Sequence, residues 1–275
     1  MCTVTYLPRP SGFILTHNRD EAPSRSSPTI VQEKTPGGET LLFPRDSLAG
    51  GTWIATSRRG RTACLLNGAF TLHKRVLPYR SSRGLILLDF FDWENPDTFF
   101  QKYDFEGIEP FTMLCFEQGQ LPESLKLSGS SLNRIYQFRW DGQQRYLENL
   151  PVDQAHFWCS ATLYPPEMQV RREQVFREWL TNYSPILPAV ASAKENTISP
   201  ITSHQSILAL HRNGRIGDPE NDYVMIRTGK VQTVSITQII VDEKNARMRY
   251  FDLVGGKRSE RRLNSSQRAA ITVNR

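Results

Sequence analysis

The sequence predicts an α+β domain built on antiparallel sheets. Strand-like segments crowd the first third of the chain, helical periodicity occupies the middle, and strands return near the end. Strands do not alternate regularly with helices, which disfavours a parallel α/β sheet. No apolar run approaches the ~18 residues of a membrane-spanning helix. A length of 275 residues can bury a core without disulfides or metals. We expect one domain over residues 1–255, followed by a polar C-terminal segment over 256–275.

Each element has a local reason. Cys2 to Leu7 is β-branched and aromatic, as strands prefer. Pro8-Arg9-Pro10-Ser11-Gly12 turns the chain, and Phe13 to Asn18 returns as a second strand, so residues 2–18 read as a hairpin. Residues 22–28 read as loop. Thr52 to Ser57 and Arg61 to Asn67 flank Arg58-Arg59-Gly60 as a second hairpin. Ser81 to Phe91 fits a helix opened by a serine cap, and Asn95-Pro96-Asp97 opens a shorter one ending near Tyr103. Phe111 to Glu117, Asn133 to Arg139 and Gln144 to Glu148 read as strands, with Asp141-Gly142 as a hairpin turn. Pro165-Pro166-Glu167 opens a helix to about Asn182, with Met168, Val175, Phe176, Trp179 and Leu180 on one face. Ser199 to His211 is a further helix. Val224 to Arg227, Val231 to Val241 and Arg247 to Leu253 complete the strands.

The net charge of +6 is spread along the chain, so it speaks to solubility before function. Its densest runs are Arg58-Arg59-Gly60-Arg61, read as a turn, and Lys257 to Arg262, read as tail. No nucleic-acid motif with an aromatic platform is visible, so no specific nucleic-acid partner is expected. His73, Lys74, Arg75 and Arg80 make one loop basic, which suits an anionic substrate and equally a solvated loop. The N-terminus lacks a basic region followed by an apolar stretch, so a cytoplasmic location is expected. Cys2, Cys64, Cys115 and Cys159 form no C-x-x-C pair, so neither a zinc site nor a redox pair is supported. The last three sit in apolar segments and read as small buried hydrophobes.

Cys2 differs because of its position. Removal of Met1 would leave a residue carrying a thiol and a free α-amine on one carbon. The amine has a pKa near ~8 and the thiol near ~8.5, so one residue holds a nucleophile and a base. Nucleophiles activated by an N-terminal amine serve acyl transfer. The hairpin returns His17-Asn18-Arg19-Asp20-Glu21 to the side of Cys2. Asp20 could orient the α-ammonium, and Arg19 could lower the thiol pKa. An Arg-Asp pair tying down a loop is the plainer reading. Alternation places His17 and Arg19 on one face and Asn18 and Asp20 on the other, so one pair at most faces Cys2 while the strand stays regular. Asn67-Gly68 either supplies an oxyanion-hole amide or simply turns the chain. Gly50-Gly51-Thr52-Trp53 permits close backbone approach, with Trp53 as core or cleft wall.

Met1-Cys2, Asn18-Arg19-Asp20-Glu21, Gly50-Gly51-Thr52-Trp53 and Asn67, in that order and spacing, resemble the NRDE family, also called the transport-and-Golgi-organisation family. Weaker likenesses follow at Cys159-Ser160-Ala161 and Gln232-Thr233-Val234-Ser235. That family is similar to the cysteine type of N-terminal-nucleophile hydrolases, which includes penicillin V acylase and bile salt hydrolase. The resemblance implies a four-layer α-β-β-α sandwich. It implies Cys2 as nucleophile, Asp20 as orienter of its amine and Asn67 in the oxyanion hole; either Arg19 activates the thiol from the same face, or thiol activation differs. His17, Asn18, Trp53 and Ser160 are then expected to meet substrate. Two departures stand out: His17 occupies the place of the hydrolase arginine, and Ala161 the place of a second side-chain amide. The implied activity is hydrolysis of an acyl amide, on a small-molecule substrate, with no metal or organic cofactor. The alternative is a non-catalytic carrier of a lipid, acyl-CoA or haem in the same cleft.

Overall fold

The computed structural model describes residues 2–27, 29–119, 133–183, 200–227 and 230–264. Two seven-stranded sheets, antiparallel throughout, form the centre of these residues. The first contains β1 (Cys2–Arg9), β2 (Gly12–Glu21), β10 (His156–Cys159), β11 (Ile226–Arg227), β12 (Val231–Val241), β13 (Asn245–Asp252) and β14 (Arg258–Asn264). Its order is β10-β1-β2-β12-β13-β14, with β11 beside β12. The second follows chain order through β3 (Ile30–Lys34), β4 (Thr40–Pro44), β5 (Ile54–Ser57), β6 (Arg61–Asn67), β7 (Phe111–Glu117), β8 (Arg134–Trp140) and β9 (Arg145–Leu150).

The sheets meet face to face. Val4, Tyr6, Phe13, Leu15 and Ile239 from the first pack with Leu42, Ile54, Cys64, Leu66 and Leu114 from the second. Helices cover both outer faces. On the second sheet, α1 (Arg83–Phe90) and α2 (Pro96–Lys102) bury Ile86, Leu87, Phe90, Phe99 and Phe100 against Phe111, Met113 and Phe138. On the first, α3 (Pro166–Tyr183) and α4 (Pro200–Asn213) bury Phe176, Ile207 and Leu210 against Leu7, Ile14 and Ile240. This is the expected α-β-β-α sandwich. Each element buries one apolar face, and four layers let both sheets do so twice.

Local signals explain the helix starts. The Ser82 side chain accepts from the Leu85 N–H, and Asn95 accepts from Thr98, capping α1 and α2. At the Asp141-Gly142 turn, the Asp141 carboxylate accepts the N–H groups of Gln143 and Gln144.

Three findings depart from the sequence reading. Strands β3, β4 and β10 lie where no strand is predicted. The segment after Gly255, read as tail, continues the first sheet as β14, paired with β13 from Phe251↔Arg258 to Asn245↔Asn264. Only Leu263 of β14 is buried, so an edge strand with charges on its exposed face reads as a polar tail. Arg61, counted with an exposed turn, is buried, and its guanidinium donates to the carbonyls of Trp93 (2.8 Å) and Phe91 (3.2 Å). It thereby satisfies orphan acceptors just beyond the end of α1.

Gly51 and Gly84 carry the close approach that the paired glycines predict. The Thr52 N–H donates to the Gly84 carbonyl at 3.2 Å, which sets the start of α1 against the strand β5. A Cβ at Gly51 would lie 2.4 Å from the Gly84 carbonyl carbon. We expect Gly51→Ala to destabilise the fold by about 1–3 kcal/mol through forced backbone displacement. Denaturant unfolding checks this, and an unchanged midpoint would contradict the packing described.

Candidate active site

Strand β2 stays extended through Glu21, so strict alternation holds from His17 to Asp20. The β1–β2 register sets Cys2 opposite Arg19, Thr3 opposite Asn18 and Val4 opposite His17. Directly opposed residues share a face. Cys2, Arg19 and His17 therefore look into the space between the sheets, and Thr3, Asn18 and Asp20 look toward α3 and α4. The same register brings the nitrogen of Cys2 to the level between Arg19 and Asp20. Strand β12 pairs Thr233 with Asp20 and Ser235 with Arg19, and its irregularity between these two residues falls at the site.

Arg19 is held in place. Its guanidinium donates to the Asp46 carboxylate and to the Arg25 carbonyl, both at 2.6 Å, and lies 3.9 Å over the Trp53 ring. Asp46 also accepts from Arg25 and from the N–H groups of Leu48 and Ala49. On the other face, Asp20 is fully buried and accepts from the hydroxyls of Thr233 (2.7 Å) and Tyr164 (2.8 Å).

Ser160 links the two sheets at this point. Its N–H donates to the Cys2 carbonyl at 3.0 Å, and its hydroxyl donates to the Asn67 carbonyl at 2.7 Å. Asn67 ends β6, and Gly68 follows with φ +79°. A Cβ on Gly68 would lie 2.5 Å from Thr162 Cγ2. The Gly68 N–H is taken by the Pro110 carbonyl. Among the described residues nothing engages the Asn67 side-chain amide. Turn and donor readings of Asn67-Gly68 are thus compatible, because the glycine turns the chain and the amide is left over.

A family model for Transport and Golgi organisation 2 matches residues 1–254. The chain belongs to that family. No curated protein sequence matches it. Among solved structures, a variant of the conjugated bile acid hydrolase from Clostridium perfringens is similar at 8% identity and TM-score 0.45, covering 95% of this chain and 96% of that one. A second variant of that hydrolase gives 10%, 0.44, 99% and 100%. The Caenorhabditis elegans ortholog of N-acylethanolamine-hydrolyzing acid amidase gives 11%, 0.41, 87% and 92%. Among the described residues, no helix is long and apolar enough to cross a membrane.

In this Transport and Golgi organisation 2 family member the expected site residues fall into three groups. Cys2, Arg19, Ser160, Asn67 and Trp53 gather around one end of the inter-sheet space, with Asp20 behind the Cys2 nitrogen. His17 shares the inner face but is deeper. It is fully buried, with Nε2 3.3 Å from the Leu65 carbonyl. A carbonyl only accepts, so Nε2 carries the proton and Nδ1 is a bare acceptor. Asn18 is not brought to this face. Its amide donates to the carbonyls of His211 and Tyr223, and its oxygen accepts from His211 Nδ1 at 2.7 Å. It locks α4 to β2.

Sequence reasoning missed Asp46, Tyr164 and Arg172. Asp46 and Arg172 stand in charge-rich stretches that look solvated, and their burial depends on loops and helices packing back onto the first sheet. Thr233 did carry a signal, as part of Gln232-Thr233-Val234-Ser235.

Burial dominates the electrostatics. It raises the Cys2 thiol pKa, with Asp20 adding and Arg19 opposing. Burial raises Cys64 and Cys115 well above the ordinary thiol value, and Cys159 up to about 12. Burial opposes the charge on Asp46, but the Ala49 N–H, Arg19 and Arg25 outweigh it and lower its pKa. Burial lowers His17 to about 3 and His211 well below its usual value. Both are neutral in the fold, so His17 brings no positive charge to the inner face.

The pH consequence has a definite sign. An unfolded histidine takes up a proton near pH ~6.5, whereas folded His17 does so near 3. Unfolded chains bind more protons between these values, so stability is full above ~6.5 and falls as pH drops, by about 1.4 kcal/mol per pH unit per histidine. We expect His17→Gln, which keeps a donor for the Leu65 carbonyl, to make the fall between pH 6.5 and 5 shallower by about that amount. Urea unfolding at several pH values reads this, and equal slopes in the two proteins would refute it.

Proposed function

We propose that this protein is an N-terminal-cysteine amidohydrolase that cleaves a linear, non-peptide acyl amide after removal of Met1. One observation carries the reading: the β1–β2 register sets the Cys2 thiol beside the Arg19 guanidinium while bringing its nitrogen level with the buried Asp20. A nucleophile, its own base, a carboxylate to hold that base and a fixed cation thus converge on rigid strands, as a preorganised site requires.

The chemistry follows from the charges. Burial keeps the resting thiol protonated, so attack needs its proton removed as the S–C bond forms. The α-amine of Cys2 takes that proton. The carbonyl oxygen gains negative charge, and the Asn67 side-chain amide donates to it. Collapse of the tetrahedral intermediate breaks the C–N bond, and the amine passes its proton to the leaving nitrogen. Water then attacks the thioester, with the same amine as base, releasing a carboxylic acid and regenerating the thiol. Asp20 orients the ammonium form, and Arg19 favours developing negative charge at sulfur. Trp53 and Ser160 border the reacting atoms. No step calls on a metal or an organic cofactor.

The test is chemical labelling of native-terminus protein. Intact mass is expected to lack Met1. A brief sub-stoichiometric iodoacetamide pulse at neutral pH should alkylate Cys2 selectively, since Cys64 and Cys115 are held well above the ordinary thiol value and Cys159 up to about 12, while Arg19 opposes the rise at Cys2. In a screen of acyl amides, Cys2→Ala should lose turnover to background. Retained Met1, or Cys2 labelling no faster than a free thiol, would overturn the hydrolase and favour the carrier of an acyl or haem ligand.

A further inference from the structure

Among the described residues Asp20 has no cation in direct contact, and it is buried on the helix side of the first sheet. An ionised carboxyl taken out of water is strongly disfavoured unless charge nearby offsets it. The groups around it come from five elements and loops: Thr233 from β12, Tyr164 from the loop before α3, Cys159 from β10, Cys2 from β1, and Arg172 from α3. Removal of Met1 would add the Cys2 amine to them, and Arg19 lies on the opposite face. Arg172 is the fully buried side-chain cation on this face, and the half-buried Arg227 lies farther out, 5.8 Å over the Tyr164 ring.

Arg172 is fully buried, on a helix whose next residues, Glu173 and Gln174, point outward. Its guanidinium lies 4.1 Å over the Tyr164 ring and 4.9 Å over the Tyr223 ring. It donates to the Thr3 hydroxyl and to the carbonyls of Asn221 and Asp222. Tyr223 donates back to the Arg172 carbonyl at 2.8 Å. None of these acceptors is an anion, so the charge of Arg172 is not spent on a carboxylate of its own. Thr3 is next to Cys2, and the ring that Arg172 covers carries the hydroxyl bonded to Asp20.

We propose that Arg172 is a positioning residue for the candidate nucleophile: through Tyr164 and Thr3 it keeps Asp20 ionised at neutral pH and fixes the start of β1. The inference rests on the reading of Asp20 as the partner of the Cys2 amine. It adds a second layer, on α3, to a site otherwise built from strands. A merely structural arginine would hold α3 and the 221–223 turn against β1 without setting the charge on Asp20. Burial raises the Asp20 pKa, and Arg172 heads the influences that lower it.

The experiment is a carboxyl 13C NMR titration of Asp20, assigned with Asp20→Asn, in wild type, Arg172→Gln and Arg172→Lys. Wild type should titrate below pH 7. Arg172→Gln should move the midpoint up by about one unit or more, a tenfold change in proton affinity, and Arg172→Lys should restore most of it. A Gln variant that folds cooperatively with an unchanged midpoint overturns the proposal. If that variant does not fold, the wild-type midpoint decides, because a value above 7 overturns the proposal without any variant. The readout is independent of Cys2 chemistry. Retained Met1 or an unreactive Cys2 with a shifted Asp20 midpoint would reject the hydrolase and leave the electrostatic role of Arg172 standing.

Discussion

The pairing of β1 with β2 is the constraint on which the site depends. Because side chains alternate along a strand, the register Cys2↔Arg19 decides in one step which groups share the inter-sheet space and which face the helices. A slip of one residue would exchange the two sets, burying Asp20 among Leu42, Ile54 and Leu66 and setting Arg19 against α3. The apolar pattern of the hairpin forbids that slip. Val4, Tyr6, Phe13 and Leu15 belong to the inter-sheet core, and Leu7 and Ile14 to the helix side. The chemistry of residues 17–20 is therefore sorted by the hydrophobic effect acting on residues 4–15.

Two polar systems result, one on each face of the same strand. On the inner face Arg19 is paired with Asp46, braced by the Arg25 carbonyl and stacked on Trp53. On the outer face Asp20 accepts two hydroxyl donors and, among the described residues, makes no salt bridge. Buried charges persist only when their neighbours compensate them. The inner cation has a full partner and is inflexible in charge. The outer carboxylate is compensated more loosely, by two hydroxyls and by a guanidinium stacked on the Tyr164 ring. Ser160 adds a mechanical link by bonding both the Cys2 and Asn67 carbonyls, so the two sheets cannot shift at the site independently.

Much of the fold was legible. Hairpins at 2–18 and 52–67, the serine and asparagine caps of α1 and α2, and the long amphipathic α3 all follow from local patterns that the tertiary structure keeps. What was not legible shares one cause. Strand β14 exposes six of its seven side chains wholly or in part, so its membership of a sheet rests on backbone bonds that leave no mark in hydrophobic periodicity. Arg61 and Arg172 look like solvated charge because local sequence does not reveal the carbonyls that will surround them.

The sequence by itself determined the antiparallel α+β class, the return of residues 17–20 to the start of the chain, and the separation of Arg19 from Asp20 by alternation. These are local properties: strand period, turn chemistry and chain connectivity. Only the tertiary structure decided that Arg19 and His17 share the face of Cys2, that Asn18 locks α4 in place, and that Asp46, Tyr164 and Arg172 complete the two charge systems. Those assignments depend on burial and on contacts between residues far apart in the chain, 27 positions for Arg19 and Asp46 and 144 for Asp20 and Tyr164. Burial is a property of the folded whole, and it is burial that sets which of these groups carries a charge.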